Sequence, residues 1–164
     1  MSNPRVAVFR PDDERLTEAE KLLESLDVTP IADPMLAVEP TEETPKERAH
    51  FVVLTSKTGV ELLAEAGWSP GPADERDDQD LLGGDGPAIA CIGPATADAA
   101  REAGWTVELI PEEYSSTGVV AAFDAIGADG VRIEVARSDH GSQVLLDGLR
   151  DAGATVRETV LYEL

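Results

Sequence analysis

The sequence predicts an α/β protein, with a parallel sheet covered by helices on both faces. Three stretches carry that prediction. Residues 51–56 precede Lys57-Thr58-Gly59-Val60, residues 88–93 precede Pro94-Ala95-Thr96, and residues 131–138 precede Asp139-His140-Gly141-Ser142. Each is a short apolar run, then small and hydroxylated residues, then a helical pattern. Strands alternating with helices of about 10–12 residues require crossover connections, and crossovers make a sheet parallel. Such sheets bind ligands beyond the carboxyl ends of their strands, where helix N-termini offer backbone N–H groups to an anion.

The elements follow in order. Residues 5–10 alternate like a strand. A helix follows, with Thr17 as its N-cap, Glu20 at capping-box spacing, and Leu22, Leu23 and Leu26 on its apolar side. Residues 28–31 and 35–38 read as a second strand interrupted by Pro34. Residues 39–49 are a linker, polar and carrying Pro40 and Pro45. The regular pattern then begins. Strand 51–55 leads to helix 57–66, with Val60, Leu63 and Ala64 inward. Residues 67–87, rich in Gly, Pro and Asp, are expected to be a mobile loop. Strand 88–92 leads to helix 94–103, which Gly104 stops. Strand 106–110, a Ser115-Ser116-Thr117 cap and helix 117–126 follow. Strand 131–136 leads to helix 141–152, stopped by Gly153, and strand 155–162 closes the pattern.

Residues 50–160 thus read as one complete α/β unit, with 161–164 as the start of a return linker. Residues 1–38 supply only strand–helix–strand, too little to bury a core of their own. Either this piece joins the main sheet or its missing strands lie beyond residue 164.

Composition narrows the function classes. The chain has 164 residues and a formal net charge of −20, from 33 acidic against 13 basic side chains. Its only lysines are Lys21, Lys46 and Lys57, and the acids are spread along its length. A nucleic-acid partner is disfavoured, because phosphate-backbone binding needs clustered cations. Two readings of the charge remain: a surface adapted to a salty cytoplasm, or an acidic partner-binding face. At 1 M salt the Debye length falls to about 3 Å, so such a surface becomes tolerable there. No apolar run approaches the roughly 20 residues of a membrane span, and the N-terminus has no secretory pattern. The protein is therefore expected in the cytoplasm, with no membrane partner. A single cysteine, Cys91, excludes an internal disulfide and leaves too few thiols for a zinc cluster; it reads as a small buried strand residue.

The candidate chemistry sits in the turns. Thr55-Ser56-Lys57-Thr58-Gly59 either aims hydroxyls and N–H groups at a carboxylate or phosphate, or simply caps a helix. It lacks the spaced glycines and GK[ST] ending of a phosphate-binding P-loop. In Ile92-Gly93-Pro94-Ala95-Thr96, Gly allows close backbone approach, Pro suits the first helical turn, and Thr96 is expected to face the cleft. Ser115-Ser116-Thr117-Gly118 and Arg137-Ser138-Asp139-His140-Gly141-Ser142 are two further hydroxyl-rich turns. Four such turns on one sheet edge make a binding edge, with no metal cage and no dinucleotide fingerprint. His140 reads as a solvated loop residue and His50 has no supporting context. Tyr162 either donates a proton to a departing hydroxyl or packs as a strand aromatic.

These motifs, in this order, resemble uroporphyrinogen-III synthase. The residues that carry the resemblance are 5–11 (RVAVFRP), 54–63 (LTSKTGVELL), 88–120 (AIACIGPATADAAREAGWTVELIPEEYSSTGVV) and 131–164 (VRIEVARSDHGSQVLLDGLRDAGATVRETVLYEL). The resemblance implies two parallel α/β lobes of flavodoxin-like type joined by two linker strands. The first lobe is discontinuous, so residues 1–38 would be its opening piece and 50–160 the complete second lobe. The chain then stops where it would return to the first lobe, and the truncated chain is expected to be inactive by itself and to be a monomer when complete. The family cyclises linear hydroxymethylbilane to uroporphyrinogen III. Water is lost, the last ring is inverted through a spiro intermediate, and no metal or organic cofactor is used. By matching position, Ser56 and Thr96 would bind substrate carboxylates or pyrrole groups, and Tyr162 would assist loss of the hydroxyl. Ser116, Thr117 and Ser138 would add carboxylate contacts. Binding a polycarboxylate on a chain of charge −20 is expected to improve with salt. The competing reading is a non-catalytic flavodoxin-like ligand-binding or regulatory module.

Overall fold

The computed structural model describes residues 3–9, 14–33, 37–46, 48–71 and 86–164. It is an α/β protein, as the alternating pattern requires. The chain divides into two compact units, Met1–Glu39 with Glu163–Leu164, and Pro40–Tyr162.

In the first unit, β1 (Arg5–Val8) and β2 (Thr29–Ala32) pair in parallel, joined by α1 (Glu14–Ser25). α1 begins before Thr17, which therefore lies inside the helix and does not cap it. Leu16 is the buried residue of this helix, whereas Leu22 and Leu26 are exposed. The expected apolar stripe of Leu22, Leu23 and Leu26 is thus mostly uncovered within this unit, whose described residues supply only two strands and one helix. The Pro34 interruption and the start of the expected strand at Met35 lie outside the described residues.

The second unit carries the main sheet, in the order β3-β8-β7-β4-β5-β6. Its strands are β3 (Glu39–Pro40), β4 (Phe51–Leu54), β5 (Ala88–Cys91), β6 (Val107–Leu109), β7 (Arg132–Ser138) and β8 (Thr155–Glu163). The pairings β4–β5, β4–β7, β5–β6 and β7–β8 are all parallel. The helices are α2 (Lys57–Glu65), α3 (Pro94–Glu102), α4 (Ser116–Ile126) and α5 (Gln143–Asp151). β4 and β5 are buried along their whole length because helices cover both faces. On one face Phe51 and Val53 pack with Val119, Phe123, Leu145 and Leu149 of α4 and α5. Phe51 and Phe123 meet edge to face, with ring centroids 5.0 Å apart. Val52 and Leu54 point to the other face and are equally buried, on the side of the neighbouring helices α2 and α3.

Small departures from the expected elements have simple causes. In α2 the inward residues are Gly59, Val60 and Leu63, while Ala64 is exposed. α4 starts at Ser116 because Ser115 alone is its N-cap, and α5 starts at Gln143 because Ser142 caps it. β7 extends to Ser138, two residues beyond the expected end, because Ser138 still pairs with Tyr162 of β8. Gly104 and Gly153 adopt φ of +84° and +95° just past α3 and α5, the left-handed stop that glycine adopts most readily. The linker is tied down between 41 and 46. Thr41 N–H donates to Leu161 O at 2.9 Å, Lys46 N–H donates to Glu134 Oε2 at 3.0 Å, and Trp68 Nε1–H donates to Pro45 O at 3.1 Å. Residues 72–85, most of the expected mobile loop, lie outside the described residues.

Candidate functional site

From β4 the chain runs outward through β5 to β6, then returns to β7 on the opposite side of β4 and continues to β8. The strand order therefore reverses between β4 and β7. At such a reversal the connections leave in opposite directions and open a crevice beyond the carboxyl ends. Ser56 follows β4 and Ser138 ends β7, so both stand at this point.

Ser56 is the N-cap of α2, its Oγ accepting from Gly59 N–H at 3.0 Å. The same oxygen lies 3.1 Å from the Tyr162 hydroxyl. Tyr162 belongs to β8, so its phenol reaches past the end of β7 to meet a residue 106 positions away in sequence. Tyr162 is 7% exposed. Ser138 pairs with Tyr162 just past a register shift after Arg137, and Asp139 N–H donates to Tyr162 O at 3.1 Å. The structure thus brings Ser56, Ser138 and Tyr162 together.

Thr96 is the third residue of α3, the helix after β5, and β5 is level with β4: Ile92 N–H donates to Leu54 O at 3.0 Å. The sequence expectation turns its side chain toward an open cleft, but Thr96 is 5% exposed. Above it Gly93 caps the helix without a side chain, and the Tyr114 ring lies against it; a Cβ at 93 would stand 3.3 Å from Tyr114 Cβ. Tyr114 itself is exposed. Its only signal in the sequence is an aromatic just before a helix cap, in a chain that is 4% aromatic.

The Ser116–Thr117 turn is more occupied than its sequence implies. Ser115 Oγ accepts from Gly118 N–H at 3.0 Å and donates to Glu113 Oε1 at 2.7 Å; it also lies 3.0 Å from Thr117 Oγ1. A carboxylate from the chain itself therefore already sits at the start of α4, where the helix dipole favours one. A hollow of about 680 Å³ beside this turn is lined by Glu112, Glu113 and Thr117, but by neither Ser56 nor Thr96.

Arg137, in the sequence no more than part of a turn, is 2% exposed. Its Nε–H donates to Glu158 Oε1 at 2.7 Å and its Nη1–H to Ser142 O, the cap of α5. Its Nη2 is buried and pairs with none of the described residues. Gly141 lies so close to this guanidinium that a Cβ there would collide with it. Arg137 thus fixes the turn that carries Ser138 and Ser142. His140 is exposed, 2.9 Å from Asp139 Oδ1. Cys91 is buried in β5, and burial pushes its thiol up to about 12, so it is no nucleophile. Among the described residues no three His, Cys, Asp or Glu side chains converge on a metal position. No described helix is long and apolar enough to cross a membrane.

Residues 17–164 match the uroporphyrinogen-III synthase HemD family. The chain belongs to that family. A provisionally named uroporphyrinogen-III synthase of Methanothermobacter thermautotrophicus is 31% identical over 169 residues, covering 96% of this chain and 61% of that protein. The crystal structure of uroporphyrinogen III synthase from the extremely thermophilic bacterium Thermus thermophilus shares the fold, with a TM-score of 0.55 and 21% identity over 98% of this chain and 61% of its own. A selenomethionine mutant of the same protein superimposes with a TM-score of 0.61, at 21% identity over 98% of this chain and 62% of its own. The chain thus spans about 61% of the length of the relatives it matches.

Proposed function

We propose that the protein carrying this chain is a uroporphyrinogen-III synthase, and that residues 50–160 are its second lobe and 1–38 the opening piece of its first. The observation that carries this reading is the Ser56–Tyr162 hydroxyl pair at the strand-order reversal, 3.1 Å apart, in a chain of this family. Hydroxymethylbilane bears a hydroxymethyl group at one end and acidic arms throughout. Tyr162 donates a proton to the departing hydroxyl, Ser56 holds the phenol in position, and water leaves as the pyrrole nitrogen supplies its electron pair. The cation so formed closes on the last ring to a spiro intermediate; the bond from that ring to the preceding methylene breaks and re-forms at the ring's other α-carbon, which loses its proton and restores the Tyr162 phenol. Ser56 and Ser138, with the N–H groups of α2, α3 and α5, hold the acidic arms, and the buried Thr96 supports the first turn of α3 behind them. Most of the rate gain then comes from folding the linear substrate into a reactive shape. Ser116 and Thr117 contribute carboxylate contacts only when Glu113 gives way. The reaction proceeds in the cytoplasm, by a monomer, without a membrane or nucleic-acid partner.

The test is incubation of the protein, at the full length of its relatives, with hydroxymethylbilane, followed by separation of the product isomers. The type-III isomer in excess supports the reading. Type-I product alone, as in the spontaneous reaction, refutes it and leaves a ligand-binding module. The 164-residue chain alone is expected to yield type I.

A further inference from the structure

The opposite edge of the same sheet gathers charged side chains, mostly basic. Lys46, Arg48, Arg132 and Arg157, four of the 13 basic residues in the chain, line one hollow of about 210 Å³. Arg132 opens β7 and Arg157 lies near the start of β8, so the hollow is at the amino ends of the strands. One carboxylate, Glu134, lines it as well. That carboxylate is engaged: Oε2 accepts from Lys46 N–H at 3.0 Å, Oε1 accepts from the Thr159 hydroxyl, and Arg157 Nε stands 3.7 Å from Oε1. Among the described residues lining it, four cations stand against one carboxylate, a formal charge of +3 on a chain of −20.

One of the cations is held in place: Arg132 Nε–H donates to Arg48 O at 2.7 Å, while the Arg132 backbone is anchored by its N–H to His50 Nδ1 at 3.0 Å and by His50 N–H to its O at 2.8 Å. The ammonium of Lys46 and the guanidinium of Arg48 have no acidic partner among the described residues. Like charges gathered this way repel one another, and a bound anion relieves that repulsion. The floor includes Ile133 and the Glu134 backbone stretch of β7. Drug-sized sites span roughly 300–1,000 Å³, so this hollow admits only a compact guest.

We propose that this hollow is a binding site for a small multivalent oxyanion, bearing phosphates or clustered carboxylates, separate from the Ser56–Tyr162 edge. The chain is titrated calorimetrically with pyrophosphate and, in parallel, with citrate, at an ionic strength held constant with KCl. Saturable binding of one or both is expected; pyrophosphate alone assigns a phosphate-bearing guest, citrate alone a carboxylate-bearing one. The Lys46→Gln, Arg48→Gln double variant is expected to bind on the order of tenfold more weakly, because it removes two exposed cations. Arg157→Gln is expected to weaken binding too, and Lys21→Gln, on α1, to leave it unchanged. No binding of either ion, or an affinity that the double variant and Arg157→Gln both leave unaltered, overturns the proposal.

Discussion

In the proposed reaction, Tyr162 and Ser56 are the residues on which the chemistry turns. Removing only the phenolic oxygen leaves the ring in its buried place, so Tyr162→Phe separates proton donation from packing. Turnover by the full-length protein is expected to fall on the order of 10²-fold, the lower range for loss of a positioned general acid, with product affinity nearly unchanged. Steady-state kinetics beside a product titration measures both; unaltered turnover removes Tyr162 from the mechanism. His50 makes a different statement. Burial, then the Arg132 charge, lowers its pKa below the ordinary 6.5, and its Nδ1 must stay unprotonated to accept Arg132 N–H. The unfolded chain therefore takes up a proton at higher pH than the fold does. The stability from neutral His50 is fully present above pH 6.5 and lost as pH falls from there through the lowered value. Urea unfolding between about pH 7 and 5 is expected to show this decline, and His50→Asn to flatten it.

Among the elements, the strands and helices of residues 50–164 were legible because each alternation is written in apolar runs and caps. Ser56, Ser115 and Ser142 cap their helices, and Gly104 and Gly153 stop theirs. The start of α1 was not legible, because Thr17 and Glu20 form a capping-box spacing that the helix simply runs through. Three further features escaped the sequence for one reason: they depend on where side chains are placed in three dimensions. Glu113 at the α4 cap, Arg137 beneath the α5 cap and Tyr114 against Gly93 are long-range or turn geometry, not pattern. The same holds for the Ser56–Tyr162 pair, whose members each stand out in the sequence while their contact does not. The α4 cap yields its own prediction. A Cβ on Gly118 would collide with the backbone carbonyl of Glu113. Gly118→Ala is expected to cost about 1–3 kcal/mol as an overpacking change, read from chemical denaturation. A variant as stable as the parent would mean that the Glu113 turn is not packed against α4.

At the scale of the whole molecule, charge is separated along the sheet of the second unit. The carboxyl ends of its strands gather hydroxyls and helix N-termini, and the amino ends gather Lys46, Arg48, Arg132 and Arg157. The rest of a chain of −20 repels a polycarboxylate at low salt, and added salt shortens the reach of that repulsion. The central claim is that hydroxyls and backbone amides, not cations, hold the substrate. Amide-resolved magnetic resonance of the chain in high KCl, titrated with a tetrapyrrole octacarboxylate, tests it directly. Shifts at residues 56–59, 93–96 and 138–142 are the expected result. Shifts confined to Arg48, Arg132 and Arg157, or none at all, would contradict it.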